Sequence, residues 1–105
     1  MINFIKEFKT AKQAAKAGGR IALSMFGKEM KKSRKGKHRD FVTEADKLAE
    51  NKIIRIIKSK FPDHSILAEE GGAKGASPYR WLIDPIDGTH NFYDGIPIFG
   101  TMVAL

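Results

Sequence analysis

The chain has 105 residues, 42% of them hydrophobic and 30% charged, with no cysteine and a formal net charge of +7. That length suits one domain (residues 1–105) or a piece of a larger one, the apolar share supports a core, and the lack of cysteine excludes disulfides and thiolate metal sites. Lys6, Glu7, Lys9 and Lys12 interrupt any signal-like run, and nothing reaches the roughly 18–20 apolar residues of a membrane span, so a cytoplasmic protein with no membrane contact is expected.

Phe4, Phe8, Ala11, Ala15, Gly18, Ala22 and Met25 recur at intervals of four and three. That spacing predicts a helix over about 2–26 with these residues on its buried face. The small residues mid-stripe invite close approach by another backbone, and Gly18-Gly19 marks a candidate kink. Next comes a basic run, Lys28, Lys31, Lys32, Arg34, Lys35, Lys37 and Arg39, opposed only by Glu29. Such a run can attract nucleic acid or phosphorylated substrates. With no aromatic residue in it to stack on bases, the preferred reading is a solvated connection, and nucleic acid is not expected as a partner. Gly36 places a turn or hairpin there, ahead of Asp40-Phe41-Val42.

A second helix is predicted from Thr43 to about Lys60, burying Ala45, Leu48, Ala49, Ile53, Ile56 and Ile57 and closed by Phe61-Pro62. Antiparallel packing on the first helix is the simplest arrangement. Residues 64–68 read as a short strand entering Glu69-Glu70-Gly71-Gly72, and 71–78 as an exposed loop. Residues 79–83 form the next strand, apolar on both faces and therefore buried in a sheet. Pro85 is expected to end it. A last apolar strand occupies 99–105. His90 reads as a surface residue, and His38 and His64 have no evident partners.

Three acidic stations stand out in this basic chain: Asp46, the pair Glu69-Glu70, and Asp84 with Asp87. If brought together they would repel and require cations. The candidate donors are all oxygens, which selects magnesium or manganese over zinc. Asp84, at a strand end, and Asp87, returned beside it by the turn, could share a two-metal site. Gly88 would permit close backbone approach, and N–H groups at a helix start near Thr89 could accept phosphate oxygens. The competing reading is that Asp87 and Thr89 merely cap a short helix. Thr43 with Asp46 three residues on likewise has the form of a capping box.

The segment Trp81-Leu82-Ile83-Asp84-Pro85-Ile86-Asp87-Gly88-Thr89-His90-Asn91-Phe92, running on to Pro97, resembles the signature of the inositol monophosphatase family, the lithium-sensitive, magnesium-dependent sugar phosphatases. Asp40 to Asp46, with Val42-Thr43 between, is similar to the family's second motif, and Glu69-Glu70-Gly71 to its third. The resemblance spans nearly the whole chain and corresponds to the N-terminal portion of a family member. A later tryptophan–aspartate motif is absent, so the sequence has the look of a fragment with little activity or stability alone.

The resemblance implies an α+β fold, the N-terminal two-layer α/β domain of the sugar-phosphatase fold, with paired helices on a largely antiparallel sheet. It implies hydrolysis of a phosphate monoester, myo-inositol phosphate first, with fructose 1,6-bisphosphate or histidinol phosphate as alternatives. Phe99-Gly100-Thr101 is similar to some histidinol-phosphatase-like members. Two or three Mg2+ ions, or Mn2+, would be held by Glu69, Asp84, Asp87 and the Ile86 carbonyl. Asp46, Thr89 and Glu70 would be catalytic: Asp46 would help Thr89 activate water, and Glu70 would lie near metal-bound waters. Asp87, Gly88 and Thr89 would bind the phosphate. The partner would be a small phosphorylated sugar or polyol, and the complete protein a homodimer. The alternative from another class is a non-enzymatic module binding nucleic acid through the basic segment.

Overall fold

The structure, a computed structural model, describes residues 3–29, 32–34, 41–68 and 72–105. Helix α1 (Ile5–Met25) leads to a hairpin, β1 (Lys32–Arg34) and β2 (Phe41–Thr43), and then to helix α2 (Glu44–Lys60). Strands β3 (Ser65–Ala68), β4 (Gly72–Lys74) and β5 (Arg80–Asp87), the short helix α3 (Thr89–Tyr93) and strand β6 (Gly100–Ala104) complete the chain. The strand order is β4-β3-β5-β6, with β3 and β5 parallel and the other two pairs antiparallel. The fold is α+β, as expected, and its sheet is mixed. The basic hairpin is present as the β1–β2 pairing; the expected turn around Gly36 lies outside the described residues.

One face of the sheet packs on the two long helices. Ala14, Ile53, Ile57, Ile66, Ala68, Trp81 and Ile83 form the main core, in which Ile66 lies opposite Trp81 and Ala68 opposite Ile83 across β3 and β5. A second cluster, Ala22, Ala45, Ile86 and Phe92, sits at the other end of α1. Because Ala14 shares a cluster with Ile57, and Ala22 with Ala45, α1 and α2 run antiparallel.

The small middle of α1 admits its neighbour: a Cβ added to Gly18 would stand 2.6 Å from Ile53 Cδ1. The helix continues without interruption through Gly18-Gly19. Its buried face differs from the expected stripe. Thr10, Ala14, Gly18 and Ala22 are buried, while Phe4 and Phe8 border an open groove of about 890 Å³ against β6. Phe8 is 64% exposed. In α2, Leu48 lies on the surface, and the polar Asp46 and Glu50 are buried in its stead.

Three strand expectations are corrected. Gly72 to Lys74, read as loop, pairs with β3 as an edge strand. Strand β5 is not buried on both faces, since it alternates and leaves Leu82 48% exposed. Nor does Pro85 end it. Asp84 pairs with Met102 and Asp87 with Gly100, so three steps along β5 match two along β6. This is a bulge, which tolerates a residue lacking an N–H. The Thr101 hydroxyl donates to the Pro85 carbonyl at 2.9 Å, serving an acceptor displaced from the regular ladder.

No helix among the described residues is long and apolar enough to cross a membrane.

Candidate active site

The bulge decides where the carboxylates of β5 go. In a regular strand, residues three apart point to opposite faces. Here the extra residue restores parity, and Asp84 and Asp87 oppose Met102 and Gly100, which are two apart on β6. Both aspartates therefore belong to the sheet face away from the helices, where Leu82, Asp84, Met102 and Ala104 line a common surface depression. The two were expected to meet because proline ends the strand; they share a face because proline sits in a bulge.

Immediately after Asp87, Gly88 turns the chain at φ +92° and heads α3. A side chain there would be strained, and its Cβ would meet the Ile98 carbonyl at 3.1 Å. Neither Asp87 nor Thr89 caps α3, whose N-terminal residue Gly88 makes no side-chain cap bond. Instead the Thr89 hydroxyl lies 3.0 Å from the Ile86 carbonyl and 3.1 Å from Asp46 Oδ1. A hydroxyl has a single proton, so it donates to one of these at a time or shares it between them.

Asp46 arrives from α2, 43 residues earlier, and is 1% exposed. Its other oxygen, Oδ2, accepts from the Thr43 backbone N–H at 2.9 Å and from the Thr43 hydroxyl at 2.5 Å. The Asp46 N–H donates back to Thr43 Oγ1 at 3.3 Å, completing the capping box. Capping thus fixes the carboxylate and leaves Oδ1 aimed at Thr89.

Packing beneath holds the two together. Ala45 and Ile86, the neighbours of this pair, share a buried cluster with Phe92 of α3. Phe26, Phe92 and Phe99 contact one another with ring centroids 4.9–5.7 Å apart. Asn91 Nδ2 donates to the Ile98 carbonyl at 3.0 Å and Ile96 N–H to the Asn91 carbonyl at 2.8 Å, folding the following loop onto α3.

Asp84, Asp87 and the Ile86 carbonyl offer oxygen donors only, a set suited to a hard divalent cation. Glu69 and Glu70, the remaining station, lie outside the described residues. Among the described residues no three acidic, histidine or cysteine side chains gather into one metal-holding group. His90 is exposed, as expected. His64 has partners that went unforeseen: its Nδ1 accepts from Trp81 Nε1 at 3.0 Å, and its ring stacks on Phe61 at 4.7 Å. Thr101 was also missed. No local signal points to either contact, since the partners stand 16 or 17 residues away in sequence.

A family model, the inositol monophosphatase family, matches residues 6–105. The chain belongs to that family. Among curated members, it is similar to the "Fructose-1,6-bisphosphatase/inositol-1-monophosphatase" of Aquifex aeolicus, 46% identical over 107 residues, which cover all of this chain and 40% of the relative. It is 45% identical over 94 residues to the "Nus factor SuhB" of Vibrio cholerae, covering 88% of this chain and 35% of that protein. The solved Thermotoga maritima IMPase superposes with a TM-score of 0.87 at 33% identity, over 95% of this chain and 39% of its own. The chain thus spans 35–40% of the length of these three family members.

Proposed function

We infer that this chain carries the metal- and phosphate-handling part of a phosphate monoester hydrolase. The observation that carries the reading is the Thr89 hydroxyl set between buried Asp46 and the Ile86 carbonyl. A water donating to Thr89 Oγ1 would meet a hydroxyl that has a carboxylate within reach to take its proton. Asp46, held by Thr43, would draw that proton and orient the water toward phosphorus. Asp84, Asp87 and the Ile86 carbonyl would hold magnesium, with Glu69 as a further ligand and Glu70 near the bound waters. The ions, when bound, supply an acidified water and neutralise charge on the phosphate and leaving oxygens. Asp87 and the N–H groups of Gly88 and Thr89 would position the phosphate, since first-turn N–H groups lack intrahelical acceptors.

The substrate we propose is a small phosphorylated polyol, with myo-inositol monophosphate first. The Aquifex aeolicus relative carries a bisphosphatase and a monophosphatase in one name, which keeps fructose 1,6-bisphosphate as the second reading. A direct test is Mn2+ binding, followed by electron paramagnetic resonance, in the parent chain and in Asp84→Asn. Saturable binding competed by Mg2+ and lost in the variant, with the melting transition retained, is the expected result. Undiminished binding in Asp84→Asn would refute the assignment. A substrate panel on the chain joined to the remaining portion of the Aquifex aeolicus relative addresses specificity; preference for a nucleotide bisphosphate over every sugar phosphate would overturn the first choice.

A further inference from the structure

The solvent face of α1 carries a stripe of cations with no anion among them. Lys6, Lys9, Lys12, Lys16 and Arg20 are all exposed, and the last four line one shallow surface cleft with Gln13. At 3.6 residues per turn, Lys9, Gln13, Lys16 and Arg20 fall within about 60° of one another, roughly 150° from the centre of the buried Thr10–Ala14–Gly18–Ala22 row. The one acidic residue of α1, Glu7, lies on the helix's other side, where it borders the groove against β6 with its Oε2 buried and unbonded. It therefore does not neutralise the stripe. Nothing in the candidate active site uses these residues, and the apolar spacing that predicts this helix describes only its opposite face.

We propose that this α1 stripe is a binding surface for the phosphodiester backbone of nucleic acid. From Lys6 to Arg20 the cations extend about 21 Å along the helix axis at 1.5 Å per residue. One strand of a duplex presents a phosphate about every 3.4 Å of its axis, so the stripe runs alongside about six phosphates. Contacts of this kind confer affinity without sequence preference, and they need no aromatic platform. An anionic membrane fits less well. An interfacial helix inserts a continuous apolar face beside its cations, whereas the row Thr10, Ala14, Gly18 and Ala22 is taken up by the core and the exposed apolar residues Phe4, Ile5, Phe8 and Leu23 stand only near the two ends of α1.

The test is fluorescence anisotropy with a labelled 20-base-pair DNA duplex across a salt series, using the whole chain. Lys9→Gln/Lys16→Gln/Arg20→Gln is compared with Lys47→Gln/Lys52→Gln/Lys58→Gln, which removes three exposed cations from α2 and leaves the same net charge. The parent is expected to bind with a steep salt dependence. The α1 variant should flatten the log–log slope by about 2.7, at about 0.9 for each phosphate no longer neutralised, while the α2 variant shifts it by less than one. A charge-conserving Lys9→Arg/Lys16→Arg variant should bind as the parent does, which separates charge from folding. Three results would overturn the proposal: equal slope changes in both triple variants, no duplex binding by the parent at low salt, or binding to phosphatidylserine vesicles in place of the duplex.

Discussion

Replacing Asp46 by Asn separates the structural duty of this residue from its proposed chemical one. The carboxylate accepts three hydrogen bonds, two from Thr43 and one from Thr89. An asparagine can keep its carbonyl oxygen on Thr43, leaving its amide nitrogen opposite Thr89 Oγ1. That nitrogen can only donate, so the Thr89 hydroxyl must reverse and give its proton to the Ile86 carbonyl, already 3.0 Å away. Every bond survives, but each becomes neutral. Hydrogen bonds to charged groups contribute about 1.5–3 kcal/mol and neutral ones about 0.5–1.5, so at about 1 kcal/mol for each of the three bonds the variant should lose about 3 kcal/mol. Asp46→Ala strands two buried Thr43 groups and should cost more, about 4–6 kcal/mol, at up to about 3 per unsatisfied group. Urea unfolding followed by Trp81 fluorescence would give both values. Turnover should rank differently. In the chain completed by the C-terminal portion of the Aquifex aeolicus relative, Asp46→Asn should lose about 10²–10⁴-fold, the contribution of a general base, because the reversed hydroxyl points its proton away from residue 46. Near-parental turnover in Asp46→Asn, or a stability loss equal to that of Asp46→Ala, would refute the reasoning.

Other consequences follow from named contacts. Gly18→Ala gains about 1 kcal/mol of helix propensity but drives a methyl to 2.6 Å from Ile53 Cδ1; with overpacking at about 1–3 kcal/mol, the net should be a loss of up to about 2. A double-mutant cycle with Ile53→Ala should show that pair more stable than the sum of its singles, and additivity would remove the steric account. Gly88→Ala should lose about 1–2 kcal/mol to left-handed backbone strain, plus crowding against the Ile98 carbonyl, read as a lowered denaturation midpoint; an unchanged midpoint would contradict the φ of +92°. His64→Ala removes the acceptor of the Trp81 indole N–H and should cost about 1–3 kcal/mol, whereas His64→Gln, which can supply an acceptor, should recover part of the loss in the same unfolding assay.

How much could be read without the structure depended on how local each determinant was. The Thr43–Asp46 capping box is a three-residue relation, and it stands as expected. The core face of α2 was legible at Ala45, Ala49, Ile53 and Ile57 because burial follows the helical period. Leu48 departs from it, since hydropathy alone cannot distinguish a core position from an exposed apolar one. The same ambiguity made β5 look buried on both sides, when Leu67 and Leu82 lie paired on an open sheet face. Pro85 was misread for a different reason. Whether proline stops a strand depends on the partner strand, and here Thr101, sixteen residues on, serves its carbonyl while the ladder skips a residue.

That bulge also changes what the motif means physically. The sequence spacing of Asp84 and Asp87 would place the two carboxylates on opposite faces of an unbroken strand. Only the combination of Pro85, the extra residue and the resumption of pairing at Gly100 brings them to one face. Gly88 then reverses the chain so that Thr89 reaches Asp46, and the Ile86 side chain anchors the turn in a core shared with Ala45 and Phe92. Each residue from 84 to 89 thus has a geometric duty that any chemical duty presupposes. The proposed metal donors Asp84 and Asp87 face the open side of the sheet, while the Thr89–Asp46 pair is tied to the helix side. The Ile86 carbonyl, within 3.0 Å of Thr89 Oγ1, joins the two.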